Sequence, residues 1–515
     1  MIFNHTGFIF LSAKNIRKSI FLVYKISNYR YFSYCKYISF FAIIKILFKN
    51  FVLLNNIFTF VTAVTVTAVT KAQEYMKFYN RTSELAELQR IRNLSFGDYS
   101  RMTVVTGRRR IGKTSLIMKS VEGLPTVYLF VGRKSETTLC SEFIPVITQS
   151  LSKFIPSEIR TFRSLFQYLM ELAINKPFNL VIDEFQEFFN INESIYSDMQ
   201  NILDTYRKKS RINLIVSGSI YSLMQKIFQN SEEPLFGRAD NIIKLSAFDL
   251  PTLKEIMNDY RQDYINDDLL ALYSFTGGVP KYVELLCDNS TLSVENMIEF
   301  MVRENSPFTE EGKNLLIEEF GKNYATYFSI LSAISGGINT QPEIEAALGD
   351  KSVGGQIKRL IEDYNIITRQ RPILAKEGSQ TVRYEIQDNF IRFWFNYFDR
   401  HRSLIEIKNF IGLQSIIKSD YPTYSGKMLE TYFRQQLAES FQFRAIGSWW
   451  EPKGNQNEID IVALKLEKNQ AITAEVKRQK KNFKPELLAA KTEHLKHKLL
   501  SNYQVEMLCL SLEDM

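Results

Sequence analysis

Two sets of residues have the types and spacing that phosphate chemistry needs. The first is Gly107-Arg108-Arg109-Arg110-Ile111-Gly112-Lys113-Thr114, the G-x-x-x-x-G-K-[ST] pattern of a loop that wraps phosphate. Gly107 and Gly112 free the backbone to bend around the anion, Lys113 brings a point charge to β- and γ-phosphates, and the Thr114 hydroxyl suits a Mg²⁺ ligand. Asp183-Glu184 then ends the apolar run Phe178–Ile182. There Asp183 would hold Mg²⁺ through water, and Glu184 would orient and deprotonate an attacking water. The second set is Glu430, Asp460, Glu475 and Lys477. Glu475 and Lys477 are two apart on a strand-like run and so share a face. With Asp460, and Glu430 as a further ligand, they could hold one or two Mg²⁺ ions and orient water at a phosphodiester.

The surrounding pattern predicts elements able to position the first set. Arg101–Thr106 reads as a buried strand that feeds the glycine loop, and Ser115–Val121 as the helix after it. That helix aims its unpaired N–H groups and positive dipole end at the anion. Thr126–Val131 reads as a strand and Ser141–Leu151 as a helix, both between loop and acid pair. Taking two strands to separate loop from acid, we expect an extra strand between them in space, which favours a glutamate-base ATPase over a GTPase-like switch. A third strand, Ile212–Val216, ends in Ser217-Gly218-Ser219. Ser219 or Ser217 would sense the γ-phosphate or position water there; a plain serine-rich turn is the alternative. Arg238 precedes the strand-like run Asn241–Leu245 and is a candidate finger for a neighbouring subunit's site, or else an ordinary surface charge.

Around the second set, Gly426–Ser440 reads as an amphipathic helix carrying Glu430, Glu458–Leu464 as a half-buried strand carrying Asp460, and Ala471–Val476 as the strand carrying Glu475. The basic run Lys477, Arg478, Lys480, Lys481, Lys484 tracks phosphates or simply solvates a helix start. Trp449 and Trp450 stack a base or close the core; His494 and His497 read as surface residues. Farther upstream, Tyr324–Ser335, Gln341–Leu348 and Ser352–Tyr364 form three helices before a hairpin, the pattern of a winged helix. Lys351, Lys358 and Arg359 on its third helix, with Arg369 and Arg371 on the hairpin, could meet a duplex backbone; the module could equally serve as an internal or protein-binding unit.

Composition narrows the class. A chain of 515 residues is too long for one ordinary domain, and 45% hydrophobic with 23% charged residues excludes a disordered or fibrous chain. Four scattered cysteines without a CxxC pair argue against a disulfide scaffold or zinc ribbon and fit a reducing compartment, so we expect a cytoplasmic protein. The net charge of +8 is local: residues 1–75 hold nine bases and one acid, which leaves 55 of each in the remainder. The pI is therefore no argument for DNA. Residues 1–75 read as a hydrophobic basic extension. The uncharged stretch Phe51–Thr70 is long enough to span a bilayer but is diluted by Asn and Thr. The alternative, and the reading preferred, is that Met76 is the true start; on it a membrane partner is not expected.

Taken together, Phe78-Tyr79-Asn80-Arg81 with Glu84-Leu85, the Gly107–Thr114 loop, Leu180–Glu184, Ser217-Gly218-Ser219 and Phe236-Gly237-Arg238 resemble the prokaryotic archaeal-type ATPases, a branch of the AAA+/STAND-like P-loop proteins. Thr276-Gly277-Gly278-Val279-Pro280 is similar to that family's Gly-x-Pro element in the helical lid, although no arginine sensor stands out there. The resemblance implies ATP as the nucleotide, Arg81 and Arg108–Ile111 among its contacts, and a switch driven by nucleotide state. Asp388–Phe395 resembles the segment opening the family's C-terminal domain, which is similar to the PD-(D/E)xK nuclease fold.

The expected architecture is α/β: a P-loop NTPase three-layer αβα core at 76–247, a helical lid at 248–322, a winged helix at 323–386 and a restriction-endonuclease-like domain at 387–515. The expected activity is Mg²⁺-dependent ATP hydrolysis that switches or drives a DNA-acting, nuclease-like C-terminal domain, with a homo-oligomer as the expected assembly. The competing expectation is a slow ATP switch whose C-terminal domain only grips a protein or nucleic-acid partner.

Overall fold

A computed structural model describes residues 76–515 except 157, 322–323, 377 and 452–456. The expectations for residues 1–75 lie outside the described residues. Among the described residues no helix is long and apolar enough to cross a membrane.

The first half alternates strands and helices. After α1 (Thr82–Gly97) come β1 (Arg101–Thr106), α2 (Lys113–Ser120), β2 (Thr126–Phe130), α3 (Glu136–Leu151), α4 (Phe162–Asn175), β3 (Phe178–Asp183), α5 (Ser194–Tyr206), β4 (Ile212–Gly218), α6 (Tyr221–Gln229) and β5 (Asn241–Lys244). The five strands pair in parallel in the order β2-β3-β4-β1-β5. Every residue of β3 and β4 is buried, as expected of a parallel sheet covered by helices on both faces. Each fully buried aliphatic side chain there contributes roughly 1.5–3 kcal/mol of transfer free energy.

An extra strand does lie between loop strand and acid strand, but not for the reason read from the sequence. Only β2 separates them along the chain, and the strand inserted in space is β4, which comes later. Three-layer packing around this sheet is the αβα core expected. The sequence reading passed over α4 and α5, and α3 begins five residues earlier than expected because Ser135 caps it through the Thr138 N–H at 3.3 Å.

Beyond the core run α7 (Leu250–Tyr260), α8 (Asn266–Thr276), α9 (Pro280–Asp288), α10 (Val294–Met301) and α11 (Glu311–Phe320). Then come α12 (Tyr324–Ser335), α13 (Gln341–Ala347), α14 (Gly354–Glu362) and an antiparallel hairpin of β6 (Ile367–Gln370) with β7 (Arg383–Ile386). The C-terminal part holds α15 (Asn389–Phe393), the long α16 (Phe410–Glu439), β8 (Phe443–Trp449), β9 (Ile459–Lys465), β10 (Gln470–Val476), α17 (Pro485–Leu499) and β11 (Gln504–Leu510). Its sheet is mixed, in the order β11-β10-β9-β8, with β10 and β11 parallel across the α17 crossover.

One hydrophobic core runs from Val105 and Leu116 through Leu270 and Phe390 to Met428 and Val476. The helices after the core sheet and α16 therefore pack as one body, while Trp449, Ile459 and Leu488 belong to a separate cluster on the C-terminal sheet. A close approach fastens this body together. A Cβ on Gly312 of α11 would stand 2.4 Å from the Trp394 ring, whose Nε1 donates to Thr309 O at 2.8 Å.

Candidate functional site

The turn from β1 into α2 forms as its residue types require. Gly107 has φ 151°, and a Cβ there would lie 2.8 Å from Leu245 O; Gly112 has φ 87° and caps α2. Only glycine fits both demands. Lys113 is folded back into the loop, its Nζ donating to Gly107 O at 2.8 Å and Arg108 O at 3.0 Å, with 7% of the residue exposed. Burial lowers its pKa to about 8, against the pull of Glu184 and Asp183. An ammonium held this way is short of anionic partners, the condition a phosphate group relieves.

Asp183 receives donors from several elements. Thr114 Oγ1 donates to Oδ2 at 2.9 Å and Tyr128 OH to the same oxygen at 2.6 Å, while Ser217 Oγ and the Glu184 N–H donate to Oδ1. Glu184 sits in the left-handed region at φ 54°. Its Oε2 accepts from Ser219 Oγ at 2.8 Å and from Gln186 Nε2 at 2.5 Å. Ser217 and Ser219 thus divide the acid pair between them. The threonine hydroxyl and buried carboxylate are hard oxygen donors already in contact, a set that fits Mg²⁺.

A cavity of about 410 Å³ opens beside this turn, lined by Phe78, Tyr79, Arg81, Lys113, Glu184 and Lys281 among others, within the range of small-molecule sites. Arg81 reaches it from a left-handed residue at φ 71°, held by Glu84 at 3.2 Å and by Ser246 O. The Gly278-Val279-Pro280 element lets α9 point its N-terminus at the cavity: Phe248 N donates to Gly278 O at 2.9 Å, and Pro280 begins the helix. Lys281 stands on the lid side where no arginine sensor was found.

The three loop arginines are tied to later parts of the chain, although Arg109 and Arg110 also line the cavity. Arg108 Nη1 donates to Asp388 Oδ2 at 2.9 Å and Nη2 to Asn365 O at 2.7 Å. Arg109 pairs with Glu318, and Arg110 Nε with Glu311 Oε1 at 2.8 Å. Ile111 is buried beneath the loop. Glu319, next along α11, accepts from Tyr221 N at 2.9 Å at the start of α6. Burial raises its pKa, against that bond and the nearby Arg108. Arg238 is elsewhere. It pairs with Asp204 at 3.0 Å, close to the Arg101 end of β1 and so at the sheet edge opposite its own phosphate loop.

The C-terminal set also converges. Asp460 on β9 accepts from Val476 N at 2.8 Å, and Lys477 Nζ lies 2.9 Å from Glu475 Oε1 and 3.9 Å from Asp460 Oδ2. Burial, then the Asp460 charge, raises Glu430 on α16 to about 8, and burial raises Asp460 as well. Burial opposes the charge on Lys477, but Glu475 and Asp460 raise its pKa overall. Lys491 of α17, which no local pattern marks, also pairs with Glu475, at 3.2 Å. Glu475 is thereby committed to two lysines, and among the described residues no group of three or more His, Cys, Asp or Glu is placed to hold a metal ion. Glu430 and Asp460 still feel each other's charge, so these two carboxylates are the ones left to share an ion. Trp449 and Trp450 are buried, and His494 Nε2 lies 3.2 Å from Glu451.

Sequence reasoning missed Tyr128, Gln186, Lys281, Glu319 and Lys491. Tyr128 had a usable signal, since it is the polar-tipped residue in the middle of a strand neighbouring the acid strand. Glu319 and Lys491 lie on helices remote in sequence and carry none.

A parallel sheet with the inserted strand, the glycine loop closed by Lys113 and the Thr114–Asp183–Glu184 contacts define a P-loop ATPase. A family model described as an ATPase domain predominantly from Archaea matches residues 78–286, and one described as archaeal and bacterial proteins of unknown function matches residues 394–490. An uncharacterized protein of Methanocaldococcus jannaschii is 30% identical over 387 residues, 73% of this chain and 82% of that protein. Among solved structures, the Walker-type ATPase of Pyrococcus abyssi is 18% identical with a TM-score of 0.47, covering 62% of this chain and 96% of its own. The ORC2 protein of Aeropyrum pernix is 16% identical with a TM-score of 0.43, covering 65% and 96%. The chain belongs to the archaeal-type ATPase family; it binds ATP and is an ATPase.

Proposed function

We propose that ATP hydrolysis at Gly107–Thr114 repositions the C-terminal half of the chain, and that the Glu430–Asp460–Glu475–Lys477 cluster acts on a nucleic-acid phosphodiester. The Arg108–Asp388 pair carries this reading, because it joins the phosphate loop directly to the segment that opens the C-terminal part. On entry of the triphosphate, Lys113 exchanges the Gly107 and Arg108 carbonyls for phosphate oxygens, and the α2 N-terminus receives the anion. Arg81 and Lys281 flank the cavity, and Arg109 to Thr114 of the loop line the side that would face the phosphates. Thr114 and Asp183 would hold Mg²⁺, which when bound neutralises developing phosphate charge. Glu184, oriented by Ser219 and Gln186, accepts the proton of the water that attacks the γ-phosphorus. Arg238 faces away from its own site, so any finger role belongs to a neighbouring subunit in a homo-oligomer.

At the C-terminal cluster, Glu430 and Asp460 would hold one Mg²⁺, which when bound polarises a phosphoryl oxygen. Lys477 orients water beside Glu475. In the restriction-endonuclease-like reading of the mixed sheet, DNA is the partner. A second reading has one observation in its favour: Glu475 is neutralised by Lys477 and Lys491, which suits a domain that grips a partner without cutting it. Replacing Glu475 by Ala separates the two. Loss of a Mg²⁺-dependent cleavage of DNA supports the enzyme; a parent chain that never cleaves nucleic acid supports the grip.

A further inference from the structure

The winged-helix pattern would put a duplex across α14 and the β6–β7 hairpin together, but the hairpin is not free to receive one. Its connecting loop is fastened to the C-terminal sheet. Ile373 N donates to Ser448 O at 2.9 Å, and Ile373 packs in the cluster of Trp449 and Ile459. Arg383 pairs with Glu458 at 2.6 Å and lies 4.5 Å over the Trp450 ring. On α14, Lys358 pairs with Glu362 in the same helix. The duplex-facing surface read from the sequence is therefore split: Arg369 and Arg371 line a groove toward the C-terminal domain, and Lys351, Lys358 and Arg359 do not.

That groove encloses about 1290 Å³ between the hairpin and α13 on one side and α16 with Trp450 on the other, and Glu430 opens into it. Its carboxylates other than Glu430 have partners, Glu343 accepting from Thr340 Oγ1 and Glu451 pairing with Lys498. Glu458 is held by Arg383, Glu385 by Arg434 at 3.9 Å, and Glu345 by Gln341 and Val353 N. Its cations are less satisfied. Among the described residues Arg369, Arg371 and Lys427 have no carboxylate within ion-pair distance, and Arg371 Nε is buried without a hydrogen-bond partner. Three unpaired cations on the walls of a polar trench, leading to a carboxylate cluster, match a flexible polyanion. A trench of this volume admits on the order of four nucleotides in single file, the lower end of single-strand site sizes.

We propose that the groove between the β6–β7 hairpin and α16 is a binding path for single-stranded polynucleotide, which it delivers to Glu430. The delivery rests on the phosphodiester reading of the C-terminal cluster, whereas the binding does not. The test uses the full chain with a fluorescein-labelled oligo-dT of twenty nucleotides, read by anisotropy in EDTA, with blunt duplex of equal length as competitor. Single strand should bind more tightly than duplex. Lys427→Glu, and separately Arg369→Ala with Arg371→Ala, should each weaken it by about tenfold at low salt, the double variant lowering the salt slope by roughly 1.4. Lys358→Ala should bind as the parent does, and melting curves should show all variants folded. Equal or tighter binding of duplex, or unchanged binding by Lys427→Glu, overturns the proposal. With Mg²⁺ restored, intact binding without cleavage would remove the phosphodiester reading and leave the path standing.

Discussion

Arg108 of the phosphate loop and Asp388, which are 280 positions apart, are joined at 2.9 Å. Asp388 has a second task, since its Oδ1 accepts from Ile391 N at 3.1 Å and caps α15. One carboxylate thus binds both the loop that meets nucleotide and the helix that begins the C-terminal part.

The two tasks separate by substitution. Asp388→Asn keeps an oxygen for the cap and loses the charge pair, while Asp388→Ala loses both. The alanine variant should be less stable than the asparagine variant by about 1 kcal/mol, a usual cost for a lost cap. Urea denaturation of both checks this; equal midpoints would mean the cap contributes nothing.

Lys113→Ala should abolish the thermal shift that ATP with Mg²⁺ gives the parent, while the melting temperature without nucleotide stays close to the parent's. Thr114→Ala should still bind ATP but need more Mg²⁺ for turnover, and EDTA should stop hydrolysis in the parent. ATP binding by Lys113→Ala at parental affinity would place the nucleotide elsewhere.

Glu184→Gln should bind ATP and hydrolyse it about 10²–10⁴-fold more slowly, the range of a lost general base. Ser219→Ala, which removes one of the donors orienting Glu184, should lower turnover less and leave KM near the parental value. Steady-state phosphate release measures both, and a fully active Glu184→Gln enzyme would exclude Glu184 as the base.

Burial raises the pKa of Glu319 above its ordinary 4.5, with Arg108 and the Tyr221 N–H pulling the other way. A carboxyl whose folded pKa is raised adds stability while protonated and loses that contribution as pH climbs through the folded value. Glu319→Gln, which still accepts the Tyr221 bond, should therefore gain in melting temperature relative to the parent from pH 5 upward, then level off. A gap that does not change with pH would refute the assignment.

Gly312→Ala would drive a methyl into the Trp394 ring, 2.4 Å away. An overpacked contact of this kind costs about 1–3 kcal/mol. Because α11 also carries the partners of Arg109 and Arg110, ATP affinity should change along with stability. Calorimetric titration and denaturation of the same sample measure the two.

The nucleotide site was readable because its chemistry is local. A glycine loop between strand and helix needs only eight consecutive residues, and Asp183-Glu184 announces itself at the end of a run too apolar to be anything but a buried strand. The strand order was reached by a faulty count: β2 alone lies between loop and acids along the chain, and the inserted β4 comes from beyond them. The C-terminal cluster was readable as a set, but Lys491 was not, because a lysine on an amphipathic helix looks the same whether it faces solvent or Glu475. The basic residues of the three-helix unit and hairpin were readable, but not that Arg369 and Arg371 line a separate groove, since nothing near Ile373 signals that it packs under Trp449.

The sequence by itself determined which residues can meet phosphate, because φ-permissive glycines, a lysine and paired acids act through neighbours a few positions away. Only the tertiary structure decided what those residues are tied to. Arg108, Arg109 and Arg110 look like a basic loop awaiting anions; folded, they are bound to Asp388, Glu318 and Glu311. Ion pairs across two hundred positions depend on how separate helices pack into one core, and no local spacing encodes that packing.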